Sequence, residues 1–348
     1  MEKFSIVLAD SVQGLGVAGQ RVSCALLPSD VHDPTELPTY LAGYRPPQYR
    51  GDEASPPILV DNDEDKYRSF SSDDAFKRVL VKGSTTGAVP EVDPKSALDS
   101  YKVAERYVGA FIPRQTELQR GNAYNPIMAA MRRARRAIEL DREIDVWTLL
   151  TTNANWNANN VVTLGATFNW NGGSASDPMA DLQNMCERSA QAVTDIWMNL
   201  KVANAFLRHD AVRDHLRMMI GDSAAGNDLQ RVNNQSLVTN VDFIIPGLPP
   251  IHVVPGKVLN ETTSLLDFIL SDAVVLTVKP PGVPSDGEEI ATSYTFRRRG
   301  PSGVGFEARE FFLENRGPLG GTMVVVSMAD IEKMTGATSG GLLKGVIA

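Results

Sequence analysis

NPIMAAMRRARRAIELDREIDVWTLLTT, residues 125–152, sets the architecture because it reads as one uninterrupted helix. Proline at its first position suits a helix start, where a backbone N–H would lack a partner anyway. Ile127, Met131, Ala134 and Ile138 recur at i, i+4, i+7 and i+11, and Leu140, Ile144 and Trp147 carry the apolar stripe on to about residue 152. At 1.5 Å per residue such a helix is roughly 39 Å long, more than twice the globular mean. Arg132, Arg133, Arg135 and Arg136 are interleaved with the stripe, beside Glu139, Asp141, Glu143 and Asp145. These charges are expected on a solvated or subunit-facing side, with i, i+4 pairs such as Arg135–Glu139 adding about 0.2–0.5 kcal/mol each. Direct contact with nucleic acid is the alternative.

Upstream, residues 61–112 read as a long two-stranded ribbon. Phe70, Phe76, Val79 and Val81 lead to a tip rich in turn residues between Gly83 and Pro94, and the run from Tyr101 to Val108 alternates on the way back. Isolated ribbons are marginal in water, so a partner surface is expected to stabilise this one. The segment Pro28–Pro57 is dense in proline and lacks apolar periodicity, which argues against a helix or a central strand. It is long for a loop within a compact domain and reads as either a linker or an arm lying on a partner, the arm requiring other copies of the subunit. Ahead of it, Phe4–Ala9 and Val22–Leu27 flank Gly14, Gly16 and Gly19 as a β-hairpin.

Downstream, the spacing predicts a strand over Val161–Phe168 and a loop over Asn169–Ser176. A second helix opens at Asp177-Pro178 and carries Leu182, Met185, Cys186, Ser189, Val193, Ile196 and Trp197 on one face. Short helical pieces run through Ala211–Ile220. Strands are expected at Val238–Ile245, Ile251–Val254, Ala273–Val278, Ser293–Phe296, Phe306–Leu313 and Met323–Ser327. Helices and strands are segregated rather than alternating, which makes the class α+β.

Composition narrows the function. Of 348 residues 43% are hydrophobic and 22% charged, a globular balance, and the net charge of −8 repels phosphate. Cys24 and Cys186 are expected as free buried thiols suited to a reducing cytoplasm. The opening MEKFSIVLADSVQ is no secretory signal, and no apolar run reaches the roughly 18 residues that a bilayer requires. A soluble protein made in the cytoplasm is expected.

The candidate chemistry is thin. Gly14-Leu-Gly16-Val-Ala-Gly19 matches the dinucleotide fingerprint in form, but a strand rather than a helix follows it. His209, Asp210, Asp214 and His215 form the densest ligand-type cluster, yet two histidines at i, i+6 diverge around a helix. His32 and His252 stand alone and are expected to be structural. Arg297, Arg298 and Arg299 lie near the turn Gly300-Pro301-Ser302-Gly303 and are expected to face solvent, another subunit or nucleic acid. Catalytic, cofactor-binding and metal-binding residues are all expected to be absent, and the chain is not expected to be an enzyme.

The order of these elements resembles the major capsid proteins of tailed bacteriophages with the HK97-like fold. Residues 60–348 carry the likeness, through Trp156, Ser176-Asp177-Pro178-Met179-Ala180-Asp181-Leu182, Ala211-Val212-Arg213-Asp214-His215-Leu216, Leu248-Pro249-Pro250-Ile251-His252-Val253-Val254, Asp272-Ala273-Val274-Val275-Leu276 and the ending Gly341-Leu342-Leu343-Lys344-Gly345-Val346-Ile347. The resemblance implies an N-terminal hairpin and extended arm over residues 1–60 and an E-loop over 61–112. It implies a P-domain with the spine helix over 113–170 and 273–322, and an A-domain over 171–272 and 323–348. It implies a subunit that assembles with itself into pentamers and hexamers of an icosahedral head shell enclosing phage DNA. The implied partners are a scaffolding protein, a portal and a decoration protein, with DNA touched only non-specifically and no membrane. The implied location is the virion, after assembly in the host cytoplasm. Some relatives cross-link an E-loop lysine to a neighbour's asparagine, and Lys77 and Lys82 lie in that region. An encapsulin-like compartment of the same fold, a nucleotide-binding enzyme using Gly14–Gly19 and a phage tail protein are the rival readings.

Overall fold

The computed structural model describes residues 31–32, 49–70, 97–118, 125–172, 175–220, 242–282, 289–300, 305–314, 316 and 319–347. The expected hairpin of residues 1–27 with Gly14–Gly19 and Cys24, most of the proline-rich arm and the ribbon tip with Lys77 and Lys82 lie outside the described residues. Along the chain run β1 (Val31–His32), α1 (Gly51–Ala54), β2 (Pro57–Val60), β3 (Glu64–Ser69), β4 (Ala97–Lys102), β5 (Ala104–Pro113), α2 (Arg114–Leu118) and α3 (Pro126–Thr151). There follow β6 (Val161–Thr163), α4 (Pro178–Arg188), β7 (Asp195–Asn199), α5 (Leu200–Arg208) and α6 (Asp210–Ile220). The rest is strand: β8 (Ile251–Val254), β9 (Lys257–Asn260), β10 (Leu265–Phe268), β11 (Ala273–Thr277), β12 (Ser293–Arg298), β13 (Phe306–Leu313), β14 (Gly321–Met334) and β15 (Gly340–Lys344).

Helix α3 has the 26 residues that its periodicity predicts. The Asn125 side chain accepts from the Ile127 and Met128 amides at 3.1 and 3.4 Å, which satisfies donors that the first turn leaves open. At the other end the Trp156 indole and the Asn155 amide donate to the carbonyls of Leu150 and Leu149, both at 2.8 Å. The buried row differs from the expected one. Leu140 and Ile144 are only half-buried, whereas Val146 and Leu150 are fully buried. The i+4 row from Ile138 passes through Arg142 to Val146 and Leu150, and the neighbouring row runs Arg135, Glu139, Glu143, Trp147. Charged side chains therefore occupy core positions, which a hydrophobic pattern cannot register.

The helix serves two cores. Its first half places Met131, Ala134 and Ile138 against Ile112, Phe306, Val324, Val326 and Met328 of a six-stranded sheet. In that sheet β14 pairs with β5, β13 and β12, β2 lies parallel to β12 at one edge, and the two residues of β1 pair with β13 at the other. Its second half places Val146, Trp147 and Leu150 against Trp197, Leu270, Val275 and Leu342 of a five-stranded sheet ordered β6-β15-β11-β7-β8. Alternation sorts that sheet's two faces. Trp197, Val275 and Leu342 point toward α3, while Ile196, Met198, Val274, Leu276 and Leu343 point into the core formed with α4, α5 and α6.

Several expectations change here. The helix opened by Asp177, whose carboxylate accepts from Ala180 N at 3.2 Å, stops at Arg188; Ile196 and Trp197 belong to β7. A strand buried on both faces is apolar throughout, so its period is invisible. Only Val161–Thr163 of the expected strand through Phe168 is strand, and the described part of Val238–Ile245 makes a single bridge, Phe243 to Ile251. The ribbon ends at Lys102, and residues 104–113 join the six-stranded sheet beside β14. Alternation looks the same in either setting. The end of the arm is also structured, as α1 and the edge strand β2.

The expected boundary at residues 322 and 323 falls inside the pairing of β14, and β11, assigned with residues 273–322, sits centrally in the five-stranded sheet. After α3 has carried it from one sheet to the other, the chain crosses between them twice more, and these two crossings are tied together. Thr292 Oγ1 accepts from Val278 N at 2.8 Å and donates to Ser339 O at 2.5 Å, and Thr335 Oγ1 donates to Ala291 O at 2.9 Å. Gly340 closes this crossing at φ +107° against the Leu276 carbonyl, a conformation and a closeness that a side chain would prevent.

Replacing Asn125 by Ala should lower stability by about 1 kcal/mol without changing the fold, read as a shift of the urea midpoint at unchanged slope.

Candidate assembly elements and the charges that anchor them

The root of the N-terminal arm is docked on α3. Glu143 is buried and accepts from Arg50 N at 2.9 Å, Gly51 N at 2.6 Å and the Trp147 indole at 2.7 Å. Burial pushes the Glu143 carboxyl above its usual range, with these three donors pulling the other way. Residue 51 must be glycine for this approach, since a Cβ there would stand 2.7 Å from Glu143 Oε2.

Beside this dock lies a knot of six charges. Asp52 pairs with Arg142 and, at 2.9 Å, with Arg297. Asp330, wholly buried, meets Arg142 at 3.1 Å, Arg106 at 3.4 Å and Arg297 at 3.9 Å. Glu332 lies 3.4 Å from Arg106 and 3.9 Å from Arg142. Around Asp330 these are charge contacts without aligned hydrogen bonds. Burial alone would raise the Asp52 carboxyl, but Arg142 and Arg297 hold it below its ordinary range. Burial, and then the neighbouring Asp330 carboxylate, push Glu332 up to about 7.

Two expectations are corrected by this knot. Arg297 is a buried ion-pair partner, not a residue facing solvent or nucleic acid; Arg298 pairs with Asp63 at 3.2 Å and Glu105 at 2.8 Å, and Arg299 with Asp61 at 3.6 Å. Arg135 and Glu139 do pair, at 2.7 Å, but in the interior, with the guanidinium 4.3 Å from the Phe306 ring centre. Arg132, Arg133 and Arg136 lie on the exposed side of α3.

The ligand-type cluster does not converge. His209 closes α5 and accepts from Ala211 N at 3.3 Å, His215 lies 3.1 Å from Pro246 O, and Asp210 is exposed. Among the described residues no three His, Cys, Asp or Glu side chains are grouped to hold a metal, and no helix is long and apolar enough to cross a membrane. Cys186 is a half-buried free thiol whose pKa burial raises. His252, expected to stand alone, instead sits between two carboxylates.

Two ribbons offer surface to other molecules. In β3–β4, Tyr101 stacks on Phe296 at 4.4 Å near the base, while Leu98 is exposed. In the β9–β10 hairpin, which pairs with no other strand among the described residues, Leu259, Leu265 and Leu266 are 56–64% exposed. Two-stranded ribbons of this size are marginal alone. Leu118 and Leu319 add exposed apolar surface near one end of the six-stranded sheet.

No protein-family pattern matches the chain, and no curated protein matches it in sequence. Solved structures do match. A phage-related protein from Bordetella bronchiseptica RB50 superposes with a TM-score of 0.62 at 19% identity, over 89% of this chain and 96% of its own. A prophage protein from E. coli CFT073, assigned as a capsid protein, does so with a TM-score of 0.56 at 14% identity, over 90% and 99%. The fold is that of the HK97-like capsid proteins. The capsid of an empty GTA particle follows at a TM-score of 0.50 and 12% identity, over 87% of this chain and 91% of its own. The α+β class expected from segregated helices and strands agrees with this likeness.

Asp330→Asn should cost about 3–5 kcal/mol, because it leaves buried arginines without their counter-charge; chemical denaturation reads the loss. Glu332 gives a pH signature. Its carboxyl is higher in the folded chain, about 7 against 4.5, so its stabilising contribution is lost as pH rises across that window. Glu332→Gln mimics the protonated form. Its urea midpoint should be closest to that of the parent at the acid end and exceed it increasingly toward pH 7 and above; equal midpoints throughout would contradict the assignment.

Proposed function

We propose that the chain is the major capsid protein of a tailed phage or prophage, a structural subunit that assembles with copies of itself into an icosahedral shell around phage DNA. The observation that carries the reading is the extent of the match to the E. coli prophage protein, 90% of this chain and 99% of that one. The β3–β4 ribbon and the apolar β9–β10 hairpin support it, since each presents apolar surface that the rest of the described chain leaves exposed.

In this reading residues 1–60 form the arm and residues 64–102 the E-loop, laid over neighbouring subunits in pentamers and hexamers. Many weak contacts then add up, as multivalent assemblies allow. Helix α3 is the spine, the six-stranded sheet belongs to the P-domain and the five-stranded sheet to the A-domain. A scaffolding protein, a portal and a decoration protein are the partners expected in this reading. The net charge of −8 keeps contact with packaged DNA local and non-specific. No catalysis, cofactor or metal is assigned.

Expression of the full chain, with its scaffold where one is required, should yield shell-like particles by negative-stain microscopy. Protein that stays monomeric under those conditions refutes the proposal, and rods or small rings favour a tail protein. Particles that package a cellular protein instead of DNA place the chain among encapsulin-like compartments.

A further inference from the structure

His252 on β8 is held by two carboxylates at once. Its Nε2 lies 2.7 Å from Asp195 Oδ1 on β7, and its Nδ1 lies 2.8 Å from Asp242 Oδ2. The ring stacks on Trp197 at 4.5 Å. Each carboxylate also meets a cation. Lys279 Nζ is 3.2 Å from Asp195, and the Arg50 guanidinium grips Asp242 through both terminal nitrogens, one of them at 2.7 Å. Thr194 Oγ1 donates to Asp195 at 2.7 Å, Val253 N donates to Asp242 at 3.3 Å, and Arg50 Nε reaches Glu53 at 3.0 Å. The charged groups around the ring are thus Asp195, Asp242, Lys279 and Arg50, with Glu53 beyond.

Both ring nitrogens face carboxylate oxygens, an arrangement that only the imidazolium satisfies with two N–H donors. Burial works against that charge, but the hydrogen bonds to Asp195 and Asp242 outweigh it and hold the ring protonated above its ordinary range. We propose that His252 is a protonation-controlled latch on the root of the N-terminal arm, holding Asp242 and through it Arg50, and releasing Asp242 when the ring loses its proton.

The geometry decides which carboxylate is released. The Asp195 side chain is 12% exposed and that of Asp242 is 34% exposed. A neutral ring keeps its one N–H on the deeper partner, because stranding that carboxylate costs more. Nδ1 then turns a lone pair toward Asp242, which can rotate into water and take the Arg50 guanidinium with it. Glu143 still holds the Arg50 and Gly51 amides and Asp52 its arginines, so the release is local to the Arg50 side chain and Asp242. A raised folded pKa means that the latch contributes fully below about pH 6.5 and is lost as pH rises through the higher folded value. Every group belongs to one chain, so the inference stands or falls independently of shell assembly.

Hydrogen exchange of the Val253 amide, which donates to Asp242, measured in the full chain at about pH 6 and about pH 9 and corrected for intrinsic base catalysis, tests it. The parent should open measurably more at the higher pH, where the ring has lost its proton. His252→Gln should be fast at both pH values, and Asp242→Asn likewise, which keeps the test decisive if the first variant does not fold. A parent with no pH response overturns the latch. A response that survives in either variant also overturns it and assigns the titration to another group, Glu332 being the nearest candidate in that window.

Discussion

The structure depends on the charge knot formed by Asp52, Arg106, Arg142, Arg297, Asp330 and Glu332. Three guanidinium groups and three carboxylates come from α1, β5, α3, β12 and β14, segments separated by up to 280 positions along the chain, from 52 to 332. Burying charge is costly, and a buried ion pair is weak evidence for stability. Its consequence here is register. Asp330 and Glu332 share one face of β14, so a slip of one residue would turn both away from the arginines and toward the opposite face. Only one placement of the helix, the sheet and the arm root brings all six charges together.

The knot sits where two cores meet along one helix. Met131 to Ile138 belong to the first core and Val146 to Leu150 to the second, with Arg142 and Glu143 between them. A dry apolar joint there would bind the halves without fixing their relative placement, since apolar contacts are not directional. Charges and hydrogen bonds are directional. The crossing strands obey the same logic, because Thr292, Thr335 and Ser339 knit the two passages between sheets through hydroxyl–backbone bonds.

Much of this was legible in the sequence where one side of an element is wet. The 26-residue helix, the Asp177 cap and the strand near 306 follow from period or capping chemistry, and β11 also reads as a strand although it is buried on both faces. What failed to show had a common cause. Ile196 and Trp197 read as helix because β7 is buried on both faces and has no polar beat. Glu143 and Arg297 read as surface because their partners lie on other elements, and Arg135 and Glu139 because a one-dimensional pattern assigns even a paired charge to water. His252 looked solitary for the same reason: Asp195 and Asp242 are 57 and 10 positions away. The capsid likeness came from the order of elements, which survives at identities where no sequence comparison responds.

The anchoring of the extended segments converges on one strand. On β12, Phe296 takes the stacked ring of Tyr101 at the base of the ribbon, and Arg297 takes Asp52 of the arm root. Arg298 takes Asp63 and Glu105 on either side of the ribbon, while β2 runs parallel along the edge of β12. Three consecutive side chains thus moor both segments that leave the body. The inner contact is buried and charged and resists loosening, whereas the pairs made by Arg298 are half-exposed and individually weak. A displacement of the ribbon therefore breaks the Tyr101–Phe296 stack and exchanges surface pairs, but opens no buried ion pair, while the arm root stays fixed. The reverse would require opening the knot. That ordering places the freedom to rearrange in the ribbon rather than in the body to which the arm root is tied.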